Sequence, residues 1–466
     1  MRTAFESPPA AMVEVEKSLR SFEAESGHQA GDEAFAAWMD SRDTLRHFRE
    51  MFHIPKKGQL PPTNKEVADL EEDCIYMTGN SLGLQPKRTR ELVNEELDKW
   101  AAVGVHGHFE GARPWMPIDE CVVGKCAKVV GALPEEVAIM NSLTVNLHLL
   151  MVALYDPKPG RTKILAEGHS FPSDFYAFSS QAEHHGLSAA DALVELWPRD
   201  GEHTLRTEDI LAKLEEIGEE VAVVALSGVQ YYTGQYFEIE RITAKAHEKG
   251  CRVVWDCAHA AGNVELRLHD WGVDGACWCT YKYLNAGPGG IAGFFIHENH
   301  WKQGSAPLKR FAGWWGHEKD SRFRMENKFV PSVGAAGFQL SNPPVLQVVS
   351  LLASLELFEQ TTMQDLCGKS QLLTGYLELL LKSQIPAGTC TIITPTDPDQ
   401  RGCQLSLLFP GVAANVQKAL EARGVVTDYR APDVLRFAPV PLYSSFTDVW
   451  RLVKIVADAV NSKSSA

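Results

Sequence analysis

The 466-residue sequence predicts an α/β fold, a mostly parallel central sheet flanked by helices, with a smaller α+β C-terminal domain. Three observations predict it. Between residues 163 and 297 short apolar runs of strand length alternate with helical stretches. Two of those helices stop at Gly218 and Gly250, the C-terminal signal that helices favour. Past Pro343-Pro344 the alternation gives way to two long helical runs and a group of strands.

The elements follow in order. Residues 1–72 are polar, with helical patches at Ala10–Glu25 and Ala34–Phe52 and a Pro-rich connector over Ile54–Asn64, and read as an N-terminal arm. A large domain is expected over 73–335, with strands at Lys163–Glu167, Ala192–Trp197, Val221–Gly228, Arg252–Asp256, Gly275–Thr280 and Ile291–His297. Helices Thr207–Ile217 and Glu240–Lys249 lie between them. A third segment, 336–466, is expected to hold helices Val345–Gln360, Asp365–Ser383 and Ala413–Arg423. Its strands are Cys390–Thr394, Gly402–Phe409, Gly424–Asp428 and Val434–Ala438.

Composition excludes several function classes. The chain is 45% hydrophobic and 23% charged, enough to build a core. Its net charge of −15 and lack of a Lys/Arg cluster argue against nucleic acid or anionic lipid as a partner. The ten cysteines read as reduced thiols, with Cys277 and Cys279 as buried strand residues, and the location expected is cytoplasmic. No Cys/His spacing suggests a metal; His106/His108 and His184/His185 lack partners at ligand spacing. Val137–Tyr155 and Phe329–Leu355 are uncharged, but polar residues in the first and prolines in the second argue against a membrane span.

The chemistry concentrates at strand ends, where parallel sheets bind ligands. Asp256 ends the apolar run Val253–Trp255, and Tyr281-Lys282 end the next strand candidate. Pyridoxal phosphate needs such a pair: a lysine for the Schiff base and a carboxylate facing the protonated pyridine nitrogen. A buried Asp–Lys ion pair is the plainer alternative. Ser142-Leu143-Thr144 opens a helical run suited to a phosphate, Phe171-Pro172-Ser173-Asp174 follows one strand and Ser227-Gly228 ends another. Each alone reads as a cap or turn. Gly287-Pro288-Gly289-Gly290 lacks the Lys-Ser/Thr of a phosphate loop and reads as a turn.

These segments, with Gly79-Asn80-Ser81-Leu82-Gly83, Gly107-His108, Arg113-Pro114-Trp115, Gly313-Trp314, Ser341-Asn342-Pro343-Pro344 and Arg436 before Ala438-Pro439-Val440-Pro441, resemble the kynureninase family over residues 45–443. That family comprises fold-type I pyridoxal-phosphate enzymes of the class V aminotransferase group. The resemblance implies hydrolysis of L-kynurenine or 3-hydroxy-L-kynurenine to L-alanine and an anthranilate. It implies Lys282 as the Schiff-base lysine, Asp256 as the pyridine partner, and Tyr281 as a catalytic acid that also reaches the phosphate. Leu143, Thr144, Phe171, Pro172, Ser173, Asp174, Ser227 and His259 would complete the cofactor shell, Phe171 by stacking on the ring. Trp314 and Asn342 resemble residues supplied by the neighbouring subunit of a homodimer. Arg436 matches the arginine on the substrate carboxylate, and His108, Ser341 and Asn342 match positions near its aromatic ring. Two rivals stand beside this reading. A cysteine desulfurase or selenocysteine lyase on the same scaffold needs a nucleophilic Cys on a late mobile loop, whereas Cys367, Cys390 and Cys403 fall in regular runs. A binding or scaffolding protein that kept the fold without catalysis is the other.

Overall fold

A parallel sheet covered by helices demands short strands that are apolar on both faces, and most strands here meet that demand. Among the described residues of the computed structural model (10–302, 305 and 307–461) seven strands form the main sheet. They are β1 (Val137–Ile139), β2 (Lys163–Glu167), β3 (Leu193–Leu196), β4 (Val221–Ser227), β5 (Arg252–Asp256), β6 (Gly275–Trp278) and β7 (Gly293–Ile296). Their order is β1-β7-β6-β5-β4-β2-β3. β7 runs antiparallel to both neighbours, and the pairs from β6 to β3 are parallel. The expectation of a mostly parallel sheet is met.

Several strands differ from the expectation. Gly275–Thr280 stops at Trp278, because the buried Thr280 turns away to donate its hydroxyl to the Ile291 carbonyl at 2.5 Å. Lys282 therefore sits in the connection after β6 and not on a strand. Ile291–His297 shortens to β7. β1 was hidden in the uncharged Val137–Tyr155 run, which breaks at Asn141 (φ +52) before helix α1 (Leu143–Leu154).

The opposite edge of the sheet is tied by Asp274, the residue before β6, which is 5% exposed. It accepts the Val253 N–H at 2.8 Å and pairs with Arg252 at 3.2 Å, fixing β5 against β6. His247 Nε2 and His300 Nε2 lie 2.8 and 2.9 Å from its oxygens. Burial opposes ionisation, but the two histidines outweigh it and hold the carboxyl below the usual range.

Contact patterns divide the chain into two units, one of residues 88–231 and 237–360, which holds this sheet. The other combines the chain up to Lys87, Tyr232–Tyr236 and everything from Thr361 onward. Its antiparallel sheet has the order Thr391–Ile392, Leu405–Leu408, Val434–Phe437, Asp428–Arg430. The expected strand Gly424–Asp428 splits, since Val425–Val426 pairs with Ile75–Tyr76 instead. The expected helix Ala34–Phe52 breaks at Asp43, whose Oδ1 accepts the Leu45 N–H at 2.9 Å and whose other oxygen meets buried Lys369 at 2.7 Å. Helix Phe446–Asn461 was not anticipated, yet Ser445 and Asp448 exchange N–H bonds at 3.0 Å in a capping box at its start.

Asp274→Ala is expected to lower stability by roughly 3 kcal/mol, since it strands Arg252 and a buried N–H. A fall of several degrees in Tm checks this. The folded carboxyl lies below its unfolded value, so its contribution is full above the ordinary carboxylate range and is lost as acid titrates the folded group.

Candidate active site

Parallel strands bring their carboxyl ends to one edge, and there a cavity of about 150 Å³ opens. Every connection that follows β1, β2, β4, β5 and β6 contributes: Leu143 and Thr144; Glu167, Phe171, Ser173 and Asp174; Ser227, Val229 and Tyr231; Asp256, Ala258 and His259; Tyr281 and Lys282. The register sets Ser227 beside Asp256 and Asp256 beside Cys277, so their side chains reach the edge together.

Lys282 Nζ lies 2.8 Å from His259 Nε2. Asp256 is 8% exposed, accepts the Ala258 N–H at 2.7 Å and shares a hydrogen bond with Asp174. Burial pushes both aspartates up, and Asp174 further because the Asp256 charge adds to its burial. Asp174 is accordingly the partner that keeps the proton, and it donates to ionised Asp256. Among the described residues Asp174 Oδ1 is buried with no hydrogen-bond partner. Such a pair suits a cationic N–H donor brought in by a ligand.

The other end of the cavity suits an anion. α1 starts at Leu143 and helix α2 spans Pro172–His184, with Pro172 at its first position and outside the cavity lining. Thr144 Oγ1 and Ser173 Oγ, near the two N-termini, are 2.7 Å apart. Backbone N–H groups and hydroxyls from two helix starts converge there. Phe171, 45% exposed, stands edge-on to Tyr231 at 5.3 Å and forms an apolar wall. Burial and Cys279 push the Tyr281 phenol up, so it keeps its proton at neutral pH.

Besides Pro172, four expected site residues of this unit lie outside that lining. Trp314 is 48% exposed on a short 3-10 turn, Ser341 and Asn342 are exposed, and half-buried His108 packs edge-on to Trp115 at 5.3 Å. Arg436 belongs to the other unit, where it is 1% exposed and binds Asp428 at 2.6 and 3.1 Å. The sequence reading missed Glu167, Val229, Tyr231 and Ala258. Glu167 was legible, because it ends an apolar strand just as Asp256 does. Glu136, His269 and His297 also converge, although their spacing suggested no metal. Their ligand atoms are already engaged: Glu136 Oε1 takes the Glu298 N–H at 2.9 Å, and His297 Nδ1 takes the Asn299 N–H at 3.1 Å.

Comparison with known proteins now gives the family. The chain is 53% identical over 461 residues to a kynureninase of Monosiga brevicollis, covering 95% of this chain and 99% of that one. It is 51% identical to the human kynureninase, over 92% and 94% of the two chains. The chain belongs to the kynureninase family. A kynureninase of Myxococcus xanthus, 51% identical over 91% of this chain and 96% of its own, extends the likeness to bacteria. A family model described as the kynureninase C-terminal domain matches residues 366–456. Among solved structures, a cysteine desulfurase from Thermococcus onnurineus aligns with TM-score 0.67 at 17% identity, over 86% of this chain and 98% of that one. A cysteine desulfurase from Escherichia coli gives the same score and identity over 90% and 99%. Those likenesses show the fold, which is the fold-type I architecture expected. The kynureninase assignment and the enzyme class that goes with it are borne out.

Two half-buried cysteines of this chain are poorly disposed to act as nucleophiles. Burial pushes Cys121 and Cys390, both half-buried, up to about 11. The native chain is expected to alkylate at these two positions at least roughly 100-fold more slowly at neutral pH than a free thiol. Peptide mass spectrometry after iodoacetamide treatment checks this.

Proposed function

We propose that the chain hydrolyses L-kynurenine and 3-hydroxy-L-kynurenine to L-alanine plus anthranilate or 3-hydroxyanthranilate, with pyridoxal phosphate held in the cavity at the sheet edge. The observation that carries the reading is Lys282 opening on the same buried cavity as the Asp256–Asp174 pair in a chain of the kynureninase family. The donor set fits the cofactor. The lone Asp174 oxygen and ionised Asp256 suit a protonated ring nitrogen, and the two helix starts with Thr144 and Ser173 suit a phosphate. When bound, pyridoxal phosphate supplies an electron sink for charge developing on the substrate.

The chain's own residues do the rest. Lys282, whose Nζ opens on the cavity, would hold the aldehyde of the bound cofactor, and its free amine would take the substrate α-proton. His259, in contact with that nitrogen, orients it. Asp256 would hold the proton on the cofactor's ring nitrogen, and Phe171, packed edge-on to Tyr231, would give the ring an apolar wall. Water adds to the substrate γ-carbonyl, and the Cβ–Cγ bond breaks with its electrons left on Cβ and a hydroxyl proton released from the hydrate. Tyr281 Oη would deliver a proton to Cβ and regain the one released, and Lys282 would return the α-proton to Cα, leaving alanine. Arg436 is assigned to the substrate carboxylate, a bidentate task suited to a guanidinium. His108, Ser341 and Asn342 are assigned to the ring side. The exposure of Trp314 and Asn342 in one protomer supports a homodimer in which each completes the partner's site. No helix among the described residues is long and apolar enough to cross a membrane. The cytoplasmic location proposed rests on the cysteine usage of the sequence.

The test supplies kynurenine, 3-hydroxykynurenine and cysteine separately to protein loaded with pyridoxal phosphate. Alanine appearing in step with an anthranilate is expected, and the rate ratio names the preferred substrate. Sulfide released from cysteine in place of that product would overturn the reading. Lys282→Ala is expected to show no measurable turnover. Tyr281→Phe should lose about 10²-fold or more in kcat while still binding substrate. Asp256→Ala should keep its circular dichroism spectrum and lose most activity.

A further inference from the structure

Glu167 is the cavity group to which the proposed chemistry gives no task. It ends β2, is 2% exposed, and no lysine or arginine among the described residues pairs with it. Both of its oxygens are committed to one residue: the Ser227 N–H donates to Oε2 at 3.0 Å, and Ser227 Oγ lies 2.6 Å from Oε1. Two more carboxyls, Asp174 and Asp256, share the cavity. Asp174 keeps its proton, so an ionised Glu167 would be a second negative charge beside Asp256, with one amine, Lys282, to balance the two.

We propose that Glu167 is a positioning residue that acts through Ser227: as a neutral acid it donates its own proton to the serine oxygen and so turns the Ser227 hydroxyl into a donor aimed at the cofactor. This rests on the reading that the cavity holds pyridoxal phosphate. The backbone N–H pins Oε2 as an acceptor, so the acid proton falls on Oε1, in the short contact with Ser227 Oγ. As a carboxylate, Glu167 takes the serine proton instead, and the cavity loses its donor. Burial pushes Glu167 up to about 7, with the Ser227 bonds pulling it down and Asp256 raising it. The sign follows: the serine donor is available below that value and withdrawn above it. The groups that face Glu167 across the cavity are Asp256, Asp174, Lys282, His259 and Tyr281.

Apoenzyme titrated with pyridoxal phosphate across neutral pH, followed by the visible absorption of the lysine-bound cofactor, tests this. Wild-type affinity is expected to fall as pH rises through about 7. Glu167→Gln keeps a carbonyl for the Ser227 N–H and an N–H for its oxygen at every pH, so it should hold the affinity and lose that pH limb. Glu167→Ala and Ser227→Ala should each weaken binding about tenfold or more, since a buried donor loses its partner. The double variant should bind no worse than Ser227→Ala. A pH limb that persists in Glu167→Gln would overturn the proposal. So would a Glu167→Gln variant as weak as Glu167→Ala, or additive losses in the double variant. Should Glu167→Ala fail to fold by circular dichroism, the Gln and Ser227→Ala variants decide. Wild-type apoenzyme that takes up no cofactor would overturn the cavity reading, and this proposal with it.

Discussion

Charge balance among buried carboxyls is the constraint on which the rest of the site depends. Glu167, Asp174 and Asp256 are each less than a tenth exposed, and one lysine faces them. Three ionised carboxylates could not persist there at a tolerable cost. Burial therefore drives Glu167 and Asp174 toward their acid forms, and the remaining negative charge settles on Asp256. One buried anion beside one amine is the arrangement that a protonated heterocycle bearing an aldehyde requires.

The sheet makes that balance geometrically possible. The common direction of β1, β2, β4, β5 and β6 sends five loops to one edge, and the carboxyls that end β2 and β5 inherit the positions of their strands. The far edge is held by a different kind of charge cluster. Asp274 is fully compensated by Arg252, two histidines and a backbone N–H, and so stays ionised where Asp174 does not. The same residue type at opposite ends of one sheet thus takes opposite protonation states, decided by the donors within reach.

Much of this is legible in the sequence. Strand–helix alternation fixed the fold class, and Asp256 and Lys282 stood out because each follows an apolar run. The segments around Thr144, Ser173 and Ser227 were weak alone and persuasive together. Glu167 went unread although the strand-end argument applied to it equally. Helix Phe446–Asn461 went unread although Ser445 and Asp448 spell a capping box. The break at Asp43 was not legible, because it depends on a buried partner, Lys369, far along the chain.

The sequence by itself determined the family, the fold class and the residue types at the strand ends, since these follow from local periodicity and from motifs read in order. Only the tertiary structure decided which carboxyls share a proton, because protonation depends on burial and on neighbours brought together by strand register. It also decided that Glu167 spends both oxygens on Ser227, a pairing across β2 and β4 that no spacing along the chain expresses.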